Sequence, residues 1–144
     1  MKRLIAVFAA TLITAVVATA ENQEQAKEKA SAMLKAVVHV NFEDSKRQEH
    51  ALGNIENILK EVPEAKVEVV SHGEGITLIQ KSKSEHGEKI AALIKQGVEF
   101  VGCENTMKKK SIEKGDLVAG VTTVPSGAVE VLRKQQQGYG YFRP

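Results

Sequence analysis

The sequence predicts an α/β protein, a three-layer α/β/α sandwich around a mostly parallel sheet of about five strands. Short β-branched runs alternate along the chain with segments whose apolar residues recur at helical spacing. Glycine or proline marks most of the boundaries between them. The 144 residues, less a 20-residue leader, leave 124, which suits one domain with one core. Strands that alternate with helices need right-handed crossovers, and these cover both faces of a parallel sheet.

Residues 1–20, "MKRLIAVFAATLITAVVATA", read as a cleaved signal peptide. Lys2 and Arg3 precede an apolar stretch from Leu4 to Val17, and Ala18-Thr19-Ala20 is a small-x-small cleavage site. The mature chain is then expected to begin at Glu21 in the periplasm. Residues 21–34 open with the polar "ENQEQAKEKASAM", a tether or marginal helix, and the α/β domain spans 35–144.

Within the domain, "KAVVHVNF" (Lys35–Phe42) is β-branched and strand-like. In "SKRQEHALGNIENILKEV" the apolar residues Ala51, Leu52, Ile55, Ile58, Leu59 and Val62 share a helix face. Asp44 or Ser45 caps its start and Pro63 stops it. "AKVEVVSH" (Ala65–His72) is a second strand, and "ITLIQKS" reads as a short helix whose apolar run also fits a strand. "EHGEKIAALIKQG" is a helix closed by Gly97. "VEFVG" gives a third strand and "ENTMKKKS" a short helix or turn. "LVAGVTTV" (Leu117–Val124) supplies a fourth strand, and Pro125 suits the first turn of the helix "PSGAVEVLRKQQQ". Gly138 ends that helix, and "YGYFRP" reads as a last, edge strand.

Charge excludes some partners. The whole chain has 20 basic and 18 acidic residues, and removing Lys2 and Arg3 with the leader leaves 18 of each. A neutral mature chain gives no electrostatic case for nucleic acid or for a membrane surface. "GEGITL" starts like a dinucleotide fingerprint, but Leu78 stands where the third glycine belongs. There is no GK[ST] phosphate loop and no G-x-S-x-G elbow. One cysteine and scattered histidines show no metal-ligand spacing, so neither metal nor cofactor is expected.

Ligands of an open parallel sheet bind outside the carboxyl ends of its strands. Four segments should meet there: Asn41–Asp44, Ser71–Gly75, Gly102–Thr106 and Val124–Gly127. The third holds Cys103, the only cysteine, in "EFVGCENTM". At a strand-to-helix turn a thiol is expected to be partly exposed, and backbone N–H groups lower its pKa. Asn105 and Thr106 offer it hydrogen bonds, while the Glu104 carboxylate would oppose the thiolate. Burial as a small apolar residue is the other reading of Cys103. His72, with Gly73 behind it, ends a neighbouring strand at the same edge. It is either a base or hydrogen-bond donor for Cys103 or a loop histidine that shapes its own turn. Asn41 and Ser126 sit on the other two segments. His39, inside a strand, reads as structural; His50 and His86 read as solvated.

These segments resemble the DsrE/DsrF-like family of small sulfur-relay proteins. The likeness runs from about Lys35 to Pro144 and rests on "VVHVNF", "NIENIL", "VEVVSHGEGITLI", "GVEFVGCENTM" and "VPSGAVEVLRKQQQGYGYFRP", in that order. It implies a Rossmann-like fold and a homo-oligomer, trimer or hexamer. It also implies a cysteine, here Cys103 flanked by Asn105 and Thr106, that carries sulfur as a persulfide between a donor and an acceptor protein. A non-catalytic oligomeric binding module and a thiol redox sensor are the alternatives.

Overall fold

Five strands form one sheet in the computed structural model, which describes residues 34–144. They are β1 (Lys35–Val40), β2 (Lys66–Ser71), β3 (Glu99–Cys103), β4 (Thr122–Val124) and β5 (Gly140–Phe142). Their order is β4-β3-β2-β1-β5, and every neighbouring pair is parallel. The leader read over 1–20 and nearly all of the polar segment lie outside the described residues. Between the strands run α1 (Ser45–Glu61), a 3-10 helix (Gly73–Ile79), α2 (Gly87–Lys95), α3 (Glu104–Lys110), a short 3-10 turn (Lys114–Asp116) and α4 (Gly127–Gln136).

The strand order decides which face each helix covers. From β1 to β4 the chain steps one strand at a time in one direction, so right-handed crossovers place α1, the 3-10 helix, α2 and α3 on one face. The last connection returns past the whole sheet to set β5 beside β1, and its helix α4 falls on the opposite face. Side chains alternate along each strand, which divides the core in two. Val38, Val40, Val69 and Phe100 pack with Leu52, Ile55, Ile79, Leu93 and Met107 on the first face. Val37, Val70 and Val101 meet Val131 of α4 on the second. At about 1.5–3 kcal/mol for each large apolar side chain buried, the first face carries most of the stability.

The thin second face also holds buried charge. Glu68 of β2 is 3% exposed, and its Oε2 lies 2.5 Å from Lys134 Nζ of α4. Glu99 and Glu130 stand farther from that ammonium, at 3.7 and 4.0 Å. Glu68 Oε1 has no partner among the described residues. Burial raises the Glu68 pKa to about 7 against the pull of Lys134. The folded state therefore holds this proton more tightly than the unfolded chain, whose carboxyl titrates near 4.5. Raising the pH from 4.5 to about 7 should cost the wild type about 1–3 kcal/mol that Glu68→Gln does not lose. Urea unfolding of both proteins at pH 5 and pH 7.5 measures this. Equal pH dependence in the two would overturn it.

Three element readings need correction. Only Thr122–Val124 of "LVAGVTTV" pairs as a strand. Leu117 and Val118 instead enter the first core, where Leu117 bridges Gln80 and the Val118 N–H donates to the Ile79 carbonyl at 2.9 Å. Gly120, at φ 88°, then turns the chain into β4. Pro125 does not enter α4. Its carbonyl accepts the Asn105 N–H at 3.2 Å, Ser126 is the extended N-cap, and the helix starts at Gly127. The short helix read over "ITLIQKS" is a 3-10 helix that begins earlier, at Gly73. As expected, Asp44 caps α1, accepting the Arg47 N–H at 2.7 Å.

Candidate functional site

β3 ends at Cys103, and the next residue opens α3, so the cysteine occupies the N-cap position at the carboxyl edge of the sheet. Gly102 keeps the preceding position free of a side chain. A Cβ there would come within 2.9 Å of Ile79 Cδ1. Alternation then turns Cys103 to the second face, with Val101 and, on β2, Val70.

The four segments expected at this edge do meet. The Gly73 N–H donates to Thr106 Oγ1 at 3.0 Å, tying the turn after β2 to α3. The Asn105–Pro125 bond ties α3 to the segment after β4. A Cβ on Gly127 would sit 3.0 Å from His72 Cβ, 3.2 Å from Cys103 Cβ and 3.2 Å from Val70 Cγ1. His72 and Cys103 therefore flank the first residue of α4 so closely that a side chain there would need these neighbours to give by a few tenths of an ångström.

The thiol is less exposed than expected. Cys103 is 5% accessible rather than partly open, because the first turn of α4 lies over it. Burial pushes its pKa up, but the Gly127 N–H, the Thr106 hydroxyl and the Thr106 N–H bring it below the ordinary value, with a smaller share from the Asn105 N–H, whose main acceptor is the Pro125 carbonyl. Thr106 thus links two groups, accepting from the Gly73 N–H while its own hydroxyl serves the sulfur. Asn105 contributes through its backbone, and its side chain is exposed. Glu104 does not oppose the thiolate as expected. Its carboxylate accepts the Thr123 hydroxyl at 2.6 Å and pairs with Lys114 at 3.3 Å, and both partners lower its pKa.

The remaining sequence candidates separate. His72 does not hydrogen-bond Cys103; its Nε2 lies 2.5 Å from Nε2 of His39. His39, read as structural, also places Nδ1 2.7 Å from the Tyr141 hydroxyl. Neither His39 nor Tyr141 was among the sequence candidates, although period-two alternation puts His39 on the Val37 face and His72 on the Val70 face. Asn41 turns toward β5, its Oδ1 accepting both Nε and Nη2 of Arg143 at 3.1 and 2.9 Å. The Ser126 hydroxyl caps α4 through the Val129 N–H and is thereby committed to the helix. His86, read as solvated, is half-buried with Nε2 3.2 Å from Ser45 Oγ, whereas His50 is exposed.

Among curated proteins none matches the chain. Among solved structures, a protein of unknown function from Methanobacterium thermoautotrophicum, MTH1491, is similar at 30% identity and a TM-score of 0.74. That match covers 77% of this chain and 99% of the other. The ychN protein from E. coli shares the fold at 15% identity and a TM-score of 0.62, over 78% of this chain and 100% of that one. The model of the DsrE/DsrF-like family matches residues 11–144, which takes in β1 to β5 and the Cys103 turn. This chain belongs to the DsrE/DsrF-like family.

Proposed function

We propose that this protein handles sulfane sulfur on Cys103, as a carrier or a sulfurtransferase. The observation that carries the reading is the set of donors around one buried sulfur: the Gly127 and Thr106 N–H groups and the Thr106 hydroxyl, which together favour the thiolate. The thiolate attacks the sulfane sulfur of a donor. An S–S bond forms on Cys103 as the donor's S–S bond breaks, and the leaving group departs with the electron pair. An acceptor thiolate then attacks the outer sulfur and releases Cys103 as thiolate. The same donors that stabilise the thiolate can stabilise the persulfide anion. With 5% of the residue accessible, the first transfer suits a small donor such as polysulfide or thiosulfate.

Intact-mass measurement after treatment with polysulfide or thiosulfate tests this. Added sulfur on one residue is the expected result, oxygen adducts alone indicate a redox sensor, and inertness overturns both. Near-complete burial favours a second reading, a structural cysteine in a non-catalytic binding module. The compartment proposed is the periplasm, and the same spectrum of purified protein reads whether the chain starts at Glu21.

The assembly proposed is a homo-oligomer, trimer or hexamer. Val129 and Leu132 of α4 are 48% and 62% exposed, on the face that a single helix covers. Contact between copies there would bury apolar surface that the monomer leaves in water. Light scattering at micromolar concentration should show an oligomer that Leu132→Glu weakens. A monomeric wild type would overturn it.

A further inference from the structure

His39 and His72 come together in a way that the sulfur chemistry does not use. Their ring planes are 15° apart, their centroids 4.7 Å apart and their Nε2 atoms 2.5 Å apart. The centroid separation exceeds the nitrogen gap by about two ring radii. The rings therefore lie nearly coplanar and tip to tip, not face to face, and each Nε2 aims in its own ring plane at the other. A proton on His39 Nδ1, donated to the Tyr141 oxygen 2.7 Å away, leaves His39 Nε2 as a bare lone pair. Metal-bound imidazoles generally have their second nitrogen held by such a partner. Burial, His72 and Arg143 lower the pKa of His39 to about 4, and burial lowers that of His72.

We propose that His39 and His72 form a two-coordinate site for a soft monovalent cation, Cu(I) in the cell, each donating Nε2. The donor set selects the ion. Among the described residues no three His, Cys, Asp or Glu side chains gather to hold a metal, so four-coordinate zinc lacks its ligands. Calcium and magnesium need oxygen donors that this pair does not offer. Imidazole suits copper, and two opposed nitrogens suit the linear coordination of a d10 monovalent ion. Arg143, bound to Asn41 nearby, repels a divalent ion more than a monovalent one.

With metal–nitrogen bonds of about 2 Å, the two Nε2 atoms must part to roughly 4 Å. Tyr141, which backs His39, is 46% exposed on the three-residue edge strand β5 and can move outward. On binding, the proton between the rings leaves Nε2 and the His72 ring takes its proton on Nδ1. Both rings stay neutral, the complex gains one positive charge, and no oxidation state changes.

The inference is independent of sulfur transfer, and its test removes the thiol. Cys103→Ala protein is titrated anaerobically with Cu(I) against a chromophoric Cu(I) chelator, and separately with Ag(I). One equivalent should bind. His39→Gln and His72→Gln should each abolish binding, and Tyr141→Phe should weaken it about tenfold. Long-range ¹H–¹⁵N spectra should show the Nε2 resonances of both rings moving together on Ag(I) addition. Absence of binding to Cys103→Ala, or full binding to either histidine variant, would overturn the site. Should the histidine variants unfold, static Nε2 resonances in Cys103→Ala would overturn it as well.

Discussion

Cys103→Ser should take up no sulfur from polysulfide, while the wild type gains the mass of added sulfur on one residue. Oxygen in place of sulfur removes the only thiol in the chain and leaves the surroundings intact. The fold should tolerate it. A serine hydroxyl at this position faces the N–H groups of Gly127 and Thr106, so it is not left unpaired, and the cost should stay below about 1–3 kcal/mol, the penalty of an unsatisfied buried hydroxyl. Thr106→Val sharpens the test. It removes the hydroxyl that faces the sulfur and strands the Gly73 N–H, so the Cys103 pKa should rise. Iodoacetamide alkylation against pH should then shift toward higher pH and slow at neutrality. A wild-type thiol that alkylates no faster than the Thr106→Val thiol, together with a Cys103→Ser protein that melts far lower, would identify a structural cysteine.

Gly75→Ala should be strongly destabilising. A Cβ at Gly75 would lie 2.1 Å from the Val40 carbonyl oxygen, 2.5 Å from its carbon and 2.8 Å from Asn41 Cα. All three are backbone atoms, so no side chain can swing aside. Either the 3-10 helix lifts from β1 or the end of β1 bends. The expected cost is about 3 kcal/mol or more, at the upper end of overpacking. The displaced segment carries His72 and Gly73, so thiol reactivity should fall with stability. Urea denaturation and alkylation rate measure the two effects. Gly53→Ala is the control, since a Cβ there meets nothing within 4 Å. Equal stability of the two variants would show that the close approach at Gly75 has no energetic weight.

Much of this architecture was legible in local pattern. β-Branched runs separated by segments of helical spacing gave the strands, the helices and the parallel sheet, because periodicity and turn chemistry act over a few residues. The same reading placed Cys103, His72, Gly73 and Thr106 at one edge, since strand polarity in a parallel sheet fixes which ends converge. Cys103 sits at the predicted turn for that reason.

Contacts between distant segments were not legible. The burial of Cys103 follows from α4, which begins 24 residues later at Gly127 and lies over the thiol only because β5 returns to the far edge of the sheet. The same return sets Tyr141, 102 residues away, against His39, and parallel pairing of β1 with β2 brings His39 to His72 across 33 residues. The sequence by itself determined most of the elements, their polarity and the thiol at the strand-to-helix turn. Tertiary structure alone decided that the thiol is covered, that Glu104 turns to Lys114, and that two histidines read apart stand tip to tip. Local propensity acts through the backbone of a few neighbours, whereas burial and pairing depend on which strand order the whole chain adopts.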